Sequence, residues 1–194
     1  MMGRIGTILG EGRATRNKMI KANTCMVMAL AIGYCADLRA QGIHIVGETT
    51  EGKRIELPNA SAGRHCIIAV AASKKAEPLL QEWYEPAYMR FVAKQGLMVS
   101  DVECDLWLVP VFTGLNKAAY GPSMERLKQE ADPDIAQHVV FVKEEGSSML
   151  DALGVKDRDE PYFFVIGPDG KPKHMEKGAY DVDKLDALEE ALEK

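Results

Sequence analysis

The sequence predicts an α/β domain. A mainly parallel central sheet is flanked by helices, with a short β-hairpin ahead of it and an antiparallel hairpin plus helix behind it. Three observations carry that expectation. Residues 66–72, Cys-Ile-Ile-Ala-Val-Ala-Ala, form an unbroken apolar run, as in a strand buried on both faces. Helical and extended periodicities then alternate through residues 73–153, as in strands joined by crossover helices. Lastly, Asp159-Glu160-Pro161 opens a run of aromatic and β-branched residues that Gly167-Pro168-Asp169-Gly170 reverses.

The first 40 residues read differently. Residues 24–36 are apolar, yet shorter than the roughly 18–20 residues a bilayer-spanning helix needs. Arg13, Arg16, Lys18 and Lys21 precede them, and Asp37-Leu38-Arg39-Ala40 follows. A basic region, a short apolar region and a small residue before a polar one describe a secretory signal peptide starting at Met19 and cleaved after Ala40. The alternative, a buried amphipathic helix, lacks a polar stripe in residues 25–32. The expected mature domain is therefore residues 41–194, periplasmic or secreted, with a membrane involved only through the export signal. Residues 1–40 hold six of the 24 basic and two of the 29 acidic residues, leaving the remainder at −9. So acidic a surface, without a basic stripe, disfavours nucleic acid as a partner.

The elements follow in order. Residues 43–48 and 54–57 alternate loosely around Glu51-Gly52-Lys53 and predict the first hairpin. His65 opens the buried strand. Ser73 is a suitable helix cap, and Pro78 fits a first turn, where its missing N–H costs little. Leu80, Trp83, Tyr84, Ala87, Tyr88 and Phe91 recur at helical spacing, the aromatics as core packing, with Pro86 as a kink and Gly96 as the stop. Residues 102–112 predict a second long strand. Residues 116–130 predict a helix broken at Gly121-Pro122 and recapped by Ser123, closed by Asp132-Pro133-Asp134. Residues 138–143 predict a short strand, and residues 147–153 a two-turn helix. Pro161 sits at the mouth of the next strand because it has no N–H to give to a ladder. After the Pro-Asp-Gly turn, Lys171 starts a return strand. Asp181 caps a last helix with Val182, Leu185, Leu188 and Leu192 on one face.

Read in this order, residues 43–193 resemble the periplasmic thiol-oxidoreductase and peroxiredoxin branch of the thioredoxin superfamily. Gly47, Glu51-Gly52-Lys53 and Leu57 match its opening hairpin. The apolar strand before Ser73, the Pro86 helix, Glu160-Pro161, Pro168-Asp169-Gly170-Lys171 and Gly178 match the rest. The resemblance implies a thioredoxin-like fold and a cis peptide at Pro161, facing the redox site. It also implies a reactive cysteine where the buried strand meets a helix N-terminus, where unpaired N–H groups and the helix dipole stabilise a thiolate.

This chain departs from the family there. Ser73-Lys74-Lys75-Ala76 occupies the junction, and no Cys-x-x-Cys pair is present. A serine hydroxyl neither ionises near neutral pH nor cycles through a disulfide. Cys25 and Cys35 lie in the export segment, which leaves Cys66 and Cys104 on strands. These read as small core hydrophobes, as one structural disulfide if the strands are neighbours, or as a reactive thiol. A scaffold without its cysteines also resembles redox-inactive proteins related to the mitochondrial ATP-synthase assembly factor, which act through binding.

Two functional expectations follow. One is an exported binding, assembly or chaperone-like module, holding a protein or extended peptide on Ser73, Lys74, Lys75, Ala76, Glu160 and Pro161. The other is an atypical thiol oxidoreductase or peroxidase using Cys66 or Cys104. Lys74 and Lys75 oppose the helix dipole, which suggests an anionic ligand or an acidic partner; a solvated loop is the plainer reading. Residues 156–160 mix charges and are expected beside those lysines. His44, His65, His138 and His174 lack metal-ligand spacing, and no phosphate loop or nucleophile elbow is present, so no cofactor or metal is expected.

Overall fold

A computed structural model describes residues 42–94, 101–131 and 133–194 of the 194-residue chain. The export-signal reading of residues 1–40 and the Gly96 stop lie outside the described residues. The elements run β1 (Ile45–Glu48), β2 (Arg54–Leu57), β3 (His65–Ala71), α1 (Ala76–Ala87) and β4 (Cys104–Pro110). There follow α2 (Tyr120–Glu130), α3 (Pro133–Ala136), α4 (Gly146–Ala152), β5 (Tyr162–Ile166), β6 (Pro172–Lys177) and α5 (Val182–Glu193).

The central sheet has the order β4-β3-β5-β6. It is mixed: parallel at β3–β4, across the α1 crossover, and antiparallel at β3–β5 and β5–β6. The predicted strand at 138–143 forms isolated bridges instead of a continuous ladder. It extends the parallel half, because Val139 bridges Leu108 and Val142 bridges Val111. Its other side meets the first hairpin, with reciprocal Glu48 and Phe141 backbone bonds of 3.0 and 2.8 Å. One short segment thus ties β1–β2 to the main sheet.

Strand alternation sorts the core into two layers. Ile68, Val70, Phe164 and Ile166 face the hairpin and α4, where Ile45, Leu57 and Leu150 meet them. Ile67, Ala69, Phe163 and Val165 face α1 and α5, where they pack on Trp83, Phe91, Leu185 and Leu188. Burying each of these large side chains contributes about 1.5–3 kcal/mol, which is why the two continuous apolar runs occupy the sheet centre. Trp83 is fully buried, packs against the tilted ring of Phe163 with centroids 4.2 Å apart, and donates its indole N–H to the Gly178 carbonyl at 2.9 Å.

Several local expectations are met and several corrected. The 167–170 reversal closes with a Gly170 N–H to Gly167 carbonyl bond of 2.9 Å, and Gly170 has φ +75°, which glycine tolerates best. Asp181 caps α5 by accepting the Asp183 N–H at 2.8 Å. Pro86 marks a change of winding: α1 passes into a π-helical turn over Tyr88–Val92, after which Lys94 is left-handed at φ +50°. Gly121-Pro122 does not break its helix. Pro122 lies in the first turn of α2, where no intrahelical partner is lost, and a 3₁₀ segment, Gly114–Ala119, supplies the irregularity upstream. The cis peptide is Leu57–Pro58; Glu160–Pro161 is trans, contrary to what the family resemblance implies.

Candidate functional site

The β3–α1 junction lies at the carboxyl end of the central strand, and its chemistry starts from Ser73. The Ser73 Oγ accepts the N–H groups of Lys75 and Ala76 at 3.1 and 3.3 Å, and its carbonyl accepts from Glu77. It therefore caps the turn that launches α1, as its residue type predicts. The same hydroxyl donates to Asp159 Oδ1 at 3.1 Å, while Lys75 Nζ sits 2.6 Å from Asp159 Oδ2. The lysine and the serine hydrogen bonds hold the Asp159 carboxyl below its ordinary range, and Asp159 raises Lys75 in turn. Asp159 is held locally too, because its N–H donates to Asp157 Oδ1 at 2.9 Å.

The sequence placed residues 156–160 beside the lysines, and the structure brings Asp159 there. It joins Ser73 and Lys75 in one network. Glu160 points elsewhere and pairs with Lys177 at 2.8 Å. Ala76 and Pro161 are buried, and the Pro161 carbonyl accepts the Gly178 N–H at 3.0 Å. The solvent-reaching part of the predicted face is therefore Ser73, Lys74, Lys75 and Glu160, with Ala76 and Pro161 beneath it. Replacing Ser73 with Ala removes the cap and the Asp159 bond together. We expect a loss of about 1 kcal/mol in chemical unfolding, with Ser73→Asp recovering part of it; an unchanged midpoint for Ser73→Ala would show that the cap contributes nothing.

The two described thiols stand apart from this junction. Cys66 lies at the other end of β3 and packs in the hairpin-side core layer. Cys104 packs against the opposite layer, since the register sets Cys66 across from Asp105. The strands are neighbours, yet the side chains point to opposite sheet faces, so the structural disulfide is excluded and both thiols are free. Burial pushes the Cys66 thiol up to about 12 and raises Cys104 as well. Such thiols hold almost no thiolate at neutral pH.

Beside the junction lies a feature that the sequence reading missed. A cleft of about 480 Å³ opens between α1 and α2, floored by β4 and residues 139–141. Tyr84, Leu108, Phe112, Leu127, Ile135 and Phe141 give it an apolar interior, and Ser73 and Lys74 reach its rim. Arg126 of α2 crosses to Glu77 of α1 at 2.6 Å. None of the α2 residues is fully buried, so Met124 and Leu127 only half-close against Phe112 and Phe141. The signal was available in residues 120–130, whose apolar positions are too few to seat a helix fully on a sheet.

This architecture is the thioredoxin-like fold. Among solved structures, the pneumococcal exposed lipoprotein thioredoxin Etrx1 from Streptococcus pneumoniae aligns with a TM-score of 0.54 at 15% identity. That match covers 76% of this chain and 98% of that one. BsSco, a member of the Sco family of cytochrome c oxidase assembly proteins, aligns at 0.52 and 12% identity over 78% and 94% of the two chains. A secreted thiol-disulfide isomerase from Corynebacterium glutamicum aligns at 0.51 and 11% identity over 79% and 86%. No protein-family model matches the chain, and no curated protein does.

Proposed function

We propose that this chain is an exported thioredoxin-fold module that works by binding, in an assembly or chaperone-like role, without thiol–disulfide turnover. One observation carries the reading: the strand–helix junction holds a Ser73–Asp159–Lys75 network in place of a thiol. That network is closed on itself, with a cap, a carboxylate and an ammonium each partnered. It offers hydrogen bonding and charge to a partner but no nucleophile. Export is supported by the lipoprotein and the secreted protein among its structural neighbours. An assembly role has a precedent on this fold in the Sco-family neighbour. A protein or extended peptide is the expected partner, seated on Ser73, Lys74, Lys75 and Glu160. Because Glu160–Pro161 is trans and the Pro161 carbonyl is already bonded, the partner contact rests on these side chains rather than on pairing beside a cis-proline.

The oxidoreductase reading requires an accessible thiol of lowered pKa, whereas Cys66 is buried, Cys104 is only partly exposed, and burial raises both. We expect the full chain to show no disulfide-reductase or peroxidase turnover above a variant in which all four cysteines are replaced by serine. Turnover that vanishes in a Cys66→Ser/Cys104→Ser variant would overturn the binding-only reading.

A further inference from the structure

We propose that the cleft between α1 and α2 is a binding site for a small amphipathic monoanion. A carboxylate or sulfonate group would meet Lys74 and Arg126, with an aliphatic or aromatic body against Leu108, Phe112, Leu127 and Phe141. The proposal rests on the binding reading above and adds to its protein or peptide partner a small-molecule ligand in the neighbouring cleft.

Size favours a small molecule. A cleft of about 480 Å³ falls within the 300–1,000 Å³ of small-ligand sites. An inserted helix, about 10–12 Å across with its side chains, requires more room than this. The lining fits an apolar body, with a few polar groups at the edge to orient it.

Charge fixes the head group. Lys74 is exposed at the rim, unlike Lys75, whose ammonium is committed to Asp159. Arg126 is bound to Glu77, but both side chains are about half exposed, at 55% and 46%, and a pair so hydrated contributes little. A ligand carboxylate between Lys74 and Arg126 replaces the Glu77 contact with a bidentate one, and Glu77 turns to water. The N–H groups of Lys75 and Ala76 are already taken by Ser73, so the head group is met by side chains. Glu130 also lines the cleft, one helical turn beyond Arg126. Its carboxylate disfavours a second acidic group at that end of the cleft, which makes a monoanion the better fit.

The test is calorimetric titration of the full chain with dodecanoate, dodecanol and dodecyltrimethylammonium, each below its micelle threshold. We expect saturable one-to-one binding of dodecanoate, at least tenfold tighter than dodecanol, and no binding of the cation. Lys74→Glu should weaken dodecanoate about tenfold and leave dodecanol unchanged. Ser123→Phe and Leu127→Trp, two independent fillers of the cleft, should each abolish binding while circular dichroism shows a folded chain.

Equal affinity for dodecanoate and dodecanol, or no saturable binding at all, would overturn the proposal. So would binding that survives in whichever filler variant folds. If sedimentation shows a dimer that Ser123→Phe separates, a second copy fills the cleft and the ligand class is wrong. Thiol turnover measured on the same preparation keeps the two readings apart. Turnover with dodecanoate binding sinks only the redox-inactive reading, whereas neither turnover nor binding sinks only the ligand class.

Discussion

Replacing Trp83 with alanine should lower stability by about 3–5 kcal/mol, the range for removing a fully buried aromatic side chain. The indole is wholly inaccessible and lies between Phe163 at 4.2 Å and Tyr180, edge-on, at 5.4 Å. It also satisfies the Gly178 carbonyl, which alanine would leave buried without that donor. Against a typical total of about 5–15 kcal/mol, the variant would sit close to its unfolding threshold at 37 °C. Trp83→Phe separates the terms: it refills most of the volume, so the remaining deficit of about 1–2 kcal/mol reports the lost hydrogen bond. Urea unfolding of the three proteins measures this. A Trp83→Ala loss below about 1 kcal/mol would mean that α1 is not seated on the sheet as described.

The second large effect is expected at Gly47. A Cβ built there would lie 2.5 Å from the Phe141 carbonyl oxygen and 2.7 Å from Val140 Cγ1. The oxygen belongs to the backbone, so the hairpin must move rather than a side chain. Overpacking of this kind costs about 1–3 kcal/mol, and displacement also weakens the reciprocal Glu48–Phe141 bonds. We expect Gly47→Ala to destabilise by about 2–4 kcal/mol, with faster hydrogen exchange at the Glu48 and Phe141 amides. Gly121→Ala is the matched control. Nothing lies within 4 Å of a Cβ at that helical position, so the same change should stabilise by up to about 1 kcal/mol. Equal outcomes at the two sites would refute the close-approach account of Gly47.

The contrast between these glycines shows what the sequence disclosed. Period and punctuation were enough to place the sheet strands, the 167–170 turn and the last helix, because a buried run such as residues 66–72 admits few other structures. Gly121-Pro122 misled because proline breaks a helix only past its first turn, and the start of α2 was not readable from composition. Pro161 misled differently. Its place in the chain fits the family, but peptide isomerism is set by packing that the sequence does not display. At the site, the missing cysteine and the nearness of residues 156–160 were legible. The opposed faces of Cys66 and Cys104 follow from a strand register, and the cleft from how far α2 stands off the sheet; both are tertiary facts.

The segment at residues 139–142 has a consequence for colloidal behaviour. A sheet edge is a row of unused donors and acceptors that invites pairing with another molecule. Here the β4 edge is occupied, since Leu108, Pro110 and Phe112 exchange backbone bonds with residues 138–142, whose far side is joined in turn to Glu48. The other border of the four-stranded sheet, β6, pairs with no further strand among the described residues. That border opens with Pro172, which cannot donate, and carries Lys173, whose charge resists a second strand. The chain thus guards one edge by covering it and the other by residue choice, which disfavours strand-to-strand aggregation.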